Sequence, residues 1–166
     1  SVPRKSSDSR WPTRSAGASL GTSPPSGYAP VNGLQMYYEL HGAGGIPLLL
    51  LHGGLFNIDL QFGQLIPGLA ATRQVVAADF QGHGRTGDID RPLTSAGLAS
   101  DVVGLLRHLD IAQADVFGFS VGGAAALYRM KALQDVGYES PSPIQAATIP
   151  HLLAGTFAVS AAIVVA

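Results

Sequence analysis

The stretch Val116-Phe117-Gly118-Phe119-Ser120-Val121-Gly122-Gly123 decides the fold. Its apolar start predicts a buried strand, and the small residues after Gly123 predict a helix, so a sharp turn joins the two at Ser120. Such a turn brings backbone segments close together and needs positions without a side chain, which Gly118 and Gly122 provide. We therefore expect the Ser120 hydroxyl to face the unpaired N–H groups of the new helix.

Strand and helix signals alternate upstream of this turn. Residues 46–51 and 75–80 form apolar runs of the kind found in strands buried on both faces of a sheet, and Asn32-Gly33 predicts a hairpin between two antiparallel strands. A weak helical face spans 57–70, and a stronger apolar stripe recurs after a capping threonine, at Leu98, Val102, Leu105 and Leu109 behind Thr94. This alternation predicts an α/β fold, a mostly parallel sheet with flanking helices.

Composition limits the function classes. The 166 residues are 46% apolar and 13% charged, as expected of a globular interior, and the net charge of −1 gives no electrostatic basis for binding nucleic acid or an anionic membrane. The chain has no cysteine, and its His, Asp and Glu residues lack metal-ligand spacing, so we expect no metal and no cofactor. With no visible secretory signal, we expect a cytoplasmic protein.

The two ends differ from the middle of the chain. Residues 1–27 are rich in Ser and Pro and lack periodicity, which predicts a disordered leader. Residues 152–166 are apolar and uncharged, but shorter than the roughly 20 residues that span a membrane, so we expect no membrane insertion. We expect 156–166 either to pair along an open sheet edge or to promote self-association there.

Three motifs resemble one family in their order and spacing. They are Leu50-Leu51-His52-Gly53-Gly54, Asp79-Phe80-Gln81-Gly82-His83-Gly84-Arg85-Thr86, and the Gly118–Gly123 turn. Together they resemble the N-terminal half of the α/β-hydrolase fold, over about residues 28–130. The resemblance implies a truncated hydrolase-type sheet and makes the serine turn a nucleophile elbow.

The resemblance also implies a site. Ser120 would be the nucleophile, and the backbone N–H groups of Gly54 and Val121 would form the oxyanion hole, each donor contributing about 3–4 kcal/mol in well-studied enzymes. The implied substrate is a small-molecule ester, lactone or related carbonyl compound. Activity is expected to be weak or absent, because the family's acid and histidine normally come from later strands.

Candidates for the missing base are few. His151 is the only histidine after Ser120, and Asp135 and Glu139 lie between them, so a Ser120–Asp135–His151 triad satisfies the family's chain order at a much shorter spacing. The alternative is that His151 is a solvated loop residue. For His52 and His83 we favour hydrogen-bonding and structural roles, and for Asp79 we favour fixing the turn that follows it over orienting a base.

After about residue 130 the sequence resembles a motif of a second protein family. Residues 131–155, with Gly137-Tyr138-Glu139-Ser140-Pro141-Ser142-Pro143-Ile144-Gln145, are similar to the Q motif of DEAD-box RNA helicases, which implies that Gln145 contacts an adenine. No phosphate-binding loop follows in 156–166, so we expect no ATP hydrolysis. The expected organisation is a leader (1–27), a partial hydrolase domain (28–130) and a Q-motif-like, partly helical segment with an apolar tail (131–166).

Two functions therefore stay open. The first is a serine hydrolase with an improvised or degraded triad. The second is a catalytically inactive binding module, or a chimeric truncated product with a vestigial adenine-binding motif. A base within hydrogen-bond reach of Ser120 would distinguish them.

Overall fold

The computed structural model describes residues 24–135 and 161–165. In chain order the elements are β1 (Ser26–Val31), β2 (Leu34–His41), β3 (Leu48–Leu51), α1 (Ile58–Phe62), α2 (Ile66–Ala70), β4 (Val75–Ala78), α3 (Ser95–His108), β5 (Asp115–Phe119), α4 (Val121–Asp135) and β6 (Ala161–Val165). The first strand begins at Ser26, slightly before the expected domain boundary at residue 28.

The six described strands form one sheet in the order β1-β2-β4-β3-β5-β6. The central strands β4, β3 and β5 run parallel to one another, whereas β1, β2 and β6 are antiparallel to their neighbours. Every residue of β3 and β4 is buried, because α3 and α4 pack on one face of the sheet and α1 and α2 on the other. This confirms the predicted fold class.

The hairpin and the longest predicted helix form as expected. Asn32 and Gly33 have φ values of 49° and 83°, the left-handed conformation that a two-residue hairpin turn requires. Thr94 caps α3 by accepting a hydrogen bond from the Gly97 N–H at 3.0 Å, and the stripe that begins at Leu98 faces the core. None of the helices within residues 24–135 is both long enough and apolar enough to cross a bilayer.

The weak helical face over 57–70 becomes two short helices. Asn57 caps α1 through its side chain, which accepts a hydrogen bond from the Leu60 N–H at 2.9 Å. Pro67 lies in the first turn of α2, where N–H groups have no intrahelical acceptor, so its missing N–H removes no hydrogen bond of the helix. Proline therefore favours the start of a new helix at this point over a continuation of α1.

The described C-terminal part consists of one continuous helix and one edge strand. α4 runs through residues 129–132, across the predicted junction between the two resemblances. β6 pairs along the edge of β5, which is the first of the two outcomes expected for 156–166, and it runs antiparallel to β5 with Ala161 opposite Phe119. Residues 136–160, which include Gln145 and His151, lie outside the described residues.

Deleting residues 161–166 is expected to expose the backbone edge of β5, and an unpaired edge is a template for pairing between molecules. We expect the deletion variant to associate with increasing concentration in light scattering, and the amides of 161–165 in the full chain to be protected from hydrogen exchange. A monomeric deletion variant with fully protected β5 amides would contradict the pairing of β6 with β5.

Candidate active site

Ser120 lies at the turn between β5 and α4 in a strained backbone conformation. Its φ of 51° falls in the left-handed region that non-glycine residues seldom adopt. Its carbonyl accepts a hydrogen bond from the Ala124 N–H at 2.9 Å, so the helix starts directly after it. Ser120 is exposed, so its hydroxyl is accessible at the N-terminal end of a helix.

The two glycines of the turn allow close backbone contacts. A Cβ at Gly118 would lie 2.5 Å from the Gly122 carbonyl, and a Cβ at Gly122 would overlap the Leu51 carbonyl group. The first turn of α4 therefore packs backbone to backbone against β5 and the end of β3. This contact brings the loop after β3 next to Ser120.

Substituting Gly122→Ala is expected to lower the free energy of unfolding by about 1–3 kcal/mol, because the added methyl group has no space and must displace backbone. Gly68→Ala is the matched control: it lies in α2 with open space around it, where alanine is neutral or stabilises by up to about 1 kcal/mol. Denaturant unfolding measures both, and equal effects would contradict the close approach of α4 to β3.

The structure brings Gly54 and Val121, the predicted oxyanion donors, together with Ser120. A Cβ at Gly54 would lie 3.3 Å from Val121 Cγ2, and the Val121 N–H, in the first turn of α4, has no intrahelical acceptor. The neighbouring Gly53 N–H is already engaged, since it donates to Gln61 Oε1 at 2.8 Å. No sequence signal indicates this role of Gln61, because nothing in the local pattern relates residues eight positions apart across a loop.

His52 holds the peptide group that carries the Gly54 N–H. Its Nε2 accepts a hydrogen bond from the Phe80 N–H at 2.9 Å, so the ring proton lies on Nδ1, which donates to the Gly53 carbonyl at 2.7 Å. In a trans peptide the N–H points opposite to the C=O, so this bond directs the Gly54 N–H away from the ring. The predicted hydrogen-bonding role of His52 is confirmed.

The buried position of His52 predicts a dependence of stability on pH. Burial lowers the pKa of His52 below its usual 6.5. The unfolded chain therefore takes up this proton at higher pH than the folded chain. The contribution of neutral His52 to the free energy of unfolding is complete above the pKa of the unfolded chain and is lost as the pH falls toward the pKa of the folded chain. Between these two pKa values the free energy of unfolding changes by at most about 1.4 kcal/mol per pH unit.

Urea unfolding between about pH 5 and pH 8 measures this slope. We expect a smaller slope in His52→Gln than in the wild type, and a wild-type slope in His108→Gln, which changes an exposed histidine of α3 in the same way. Identical slopes in all three proteins would show that His52 is not the responsible group.

Asp79 fixes the turn that follows β4. The carboxylate is fully buried, and its two oxygens accept hydrogen bonds from the Ile58 and Arg85 N–H groups, each at 2.9 Å. Gly84 has a φ of 52° and no room for a side chain, because a Cβ there would overlap this carboxylate. These contacts confirm the structural interpretation of Asp79.

No base contacts Ser120 among the side chains that the structure describes, those of residues 24–128. The histidines described there interact elsewhere: His41 with Glu39, His52 with Gly53 and Phe80, His83 with Gln81 and Gly54, and His108 with the Tyr38 ring. Asp135 is the last residue of α4, and the 15 residues of this helix place its backbone roughly 22 Å from Ser120. One imidazole cannot bridge that distance, so the geometry does not bring Asp135 to the serine. His151 lies outside the described residues.

A cavity of about 690 Å³ lies away from the elbow. Its walls come from β2, α1, α2 and the residues before β1, and they do not include Ser120, Gly54 or Val121. Its buried carboxylate, Glu39, is already engaged by Tyr37 and His41. Among the described residues no group of three or more His, Cys, Asp or Glu side chains is placed to hold a metal ion.

A serine at a strand-to-helix turn, facing a His-Gly loop at the end of a neighbouring parallel strand, is the arrangement of an α/β hydrolase. The model of the alpha/beta hydrolase fold family matches residues 46–148, and the chain belongs to this family. The match extends beyond the expected domain boundary at residue 130. None of the comparisons bears on the resemblance to the DEAD-box Q motif, so the fusion stays a prediction.

Two curated relatives and one solved structure illustrate the match. The dihydrolipoyllysine-residue acetyltransferase component of the acetoin cleaving system from Pseudomonas putida is 42% identical over 121 residues, which cover 67% of this chain and 30% of the relative. The soluble epoxide hydrolase of Corynebacterium sp. (strain C12) is 36% identical over 103 residues, which cover 60% of this chain and 34% of the relative. The enol-lactonase from Burkholderia xenovorans LB400 has a TM-score of 0.58 and 28% identity over 60% of this chain and 39% of that one. The chain spans about a third of the length of these curated relatives.

Proposed function

We propose that the chain carries the nucleophile and the oxyanion donors of a serine hydrolase that acts on an ester, lactone or related small-molecule carbonyl compound. The observation that carries this proposal is the exposed Ser120, held in the left-handed conformation beside Gly54 and Val121. A hydroxyl there would attack a carbonyl carbon while the two N–H groups stabilise the oxyanion. Similarity to an enol-lactonase supports a lactone or ester as substrate.

The side chains around the elbow favour an apolar substrate. Leu55, Phe56 and Val121 are exposed, and the Phe56 ring packs edge to face on Phe119 with 6.2 Å between the ring centroids. Burying such surface against an apolar acyl or aryl group contributes about 25 cal/mol per Å². We therefore expect apolar esters to react in preference to charged ones.

The activity of this chain is expected to be weak. Serine needs a base to accept its proton, and the described histidines all have partners elsewhere. Oxyanion donors and substrate binding alone leave a residual acceleration of about 10³–10⁴ over water. The second candidate is an inactive binding module that retains the elbow and its apolar surroundings.

Turnover of an activated aryl ester separates the two candidates. We expect slow turnover by the wild type, loss of it in Ser120→Ala, and wild-type turnover in Ser100→Ala, which removes an exposed hydroxyl on α3. A His151→Ala variant tests the improvised triad, because a working base contributes about 10²–10⁴-fold. Equal rates for wild type and Ser120→Ala would reject the hydrolase and leave the binding module.

A further inference from the structure

Gly54 needs external support to act as an oxyanion donor. Glycine populates a wide range of φ and ψ, and Gly54 follows a second glycine, so the direction of its N–H is not set by its own side chain. Two peptide groups flank its Cα. His52 holds the first, through the Gly53 carbonyl at 2.7 Å.

The second peptide group is held by another histidine. The Gly54 carbonyl lies 2.8 Å from Nε2 of His83, which belongs to the Gly-rich loop after β4, 29 residues further along the chain. We propose that His83 is a positioning residue for the oxyanion donor: it fixes the Gly54–Leu55 peptide while His52 fixes the Gly53–Gly54 peptide. The proposal rests on the proposed function, because it assigns His83 a task in that same site.

His83 is itself held in place. It is half-buried, and its ring centroid is 5.1 Å from that of His52. Its Nδ1 lies 2.8 Å from the Gln81 carbonyl, and the buried Gln81 side chain is fixed by Asp88, at 2.8 Å, and by Arg91. His83 therefore lies against a residue, Gln81, whose side chain is held by partly buried hydrogen bonds.

Both ring nitrogens of His83 face carbonyl oxygens, Nδ1 that of Gln81 and Nε2 that of Gly54, and a neutral imidazole donates from only one of them. The positioning role requires the N–H on Nε2, and a pair of variants tests this. In His83→Gln the amide nitrogen takes the place of Nε2 and keeps a donor to Gly54. In His83→Asn the amide nitrogen takes the place of Nδ1 and leaves Gly54 without that donor.

Aryl-ester kinetics of the full chain test the assignment. Complete loss of an oxyanion donor costs about 10²–10³ in kcat, so we expect a misdirected one in His83→Asn to cost about 10- to 100-fold, with KM little changed. His83→Gln should stay close to the wild type, as should the exposed control His108→Asn. Activity in His83→Asn equal to or above that in His83→Gln would overturn the proposal, since a merely structural loop histidine would tolerate that variant at least as well.

A second readout does not depend on turnover. In the NMR spectrum of the full chain, both His83 variants lose the ring current of the imidazole, but only His83→Asn also loses the donor to Gly54, so the Gly54 amide resonance should move further in His83→Asn than in His83→Gln and stay in place in His108→Asn. Equal displacements in the two His83 variants would refute the positioning role. If the wild type shows no Ser120-dependent turnover, the proposed hydrolase fails, and the Gly54 resonance alone decides whether His83 positions this peptide.

Discussion

The approach of Gly122 to the Leu51 carbonyl is the contact on which the site depends. It lets the backbone of α4 rest directly on the end of β3, and β3 leads without a break into the loop that carries Gly54. A side chain at this point would move the helix away from the sheet and separate Ser120 from the predicted oxyanion donor. The fully buried strands β3 and β4 supply the rigid support that such a contact needs.

Features with local signals were predictable from the sequence. The Asn32-Gly33 hairpin, the Thr94 cap of α3 and the turn at Ser120 each depend on residues within a few positions of one another. The contacts that hold the Gly54 loop were not predictable, because Gln61 and His83 reach it across 8 and 29 residues without any periodic pattern. The direction of β6 was also not predictable, since the alternation of apolar and polar residues and the β-propensity do not distinguish parallel from antiparallel pairing.

The position of Asp135 shows a limit of reasoning from chain order. Serine, acid and histidine follow one another in the family's order, but the acid lies at the far end of the helix that begins at the serine. A continuous helix separates its two ends by a fixed rise per residue, so the order of Ser120 and Asp135 in the chain does not show that they are close in space. In contrast, the ends of adjacent parallel strands meet at one edge of the sheet, and for that reason the spacing of the His52, Asp79 and Ser120 motifs was informative.

The left-handed conformation of Ser120 has a consequence for how such a chain would evolve. A non-glycine residue in this region costs of order 1–3 kcal/mol, whereas glycine adopts it freely. If the hydroxyl had no function, a substitution of Ser120 by glycine would be tolerated and would raise the stability of the fold. The elbow thus places the proposed nucleophile in an unfavourable backbone conformation, so that selection for stability alone would replace Ser120 by glycine and leave the fold intact.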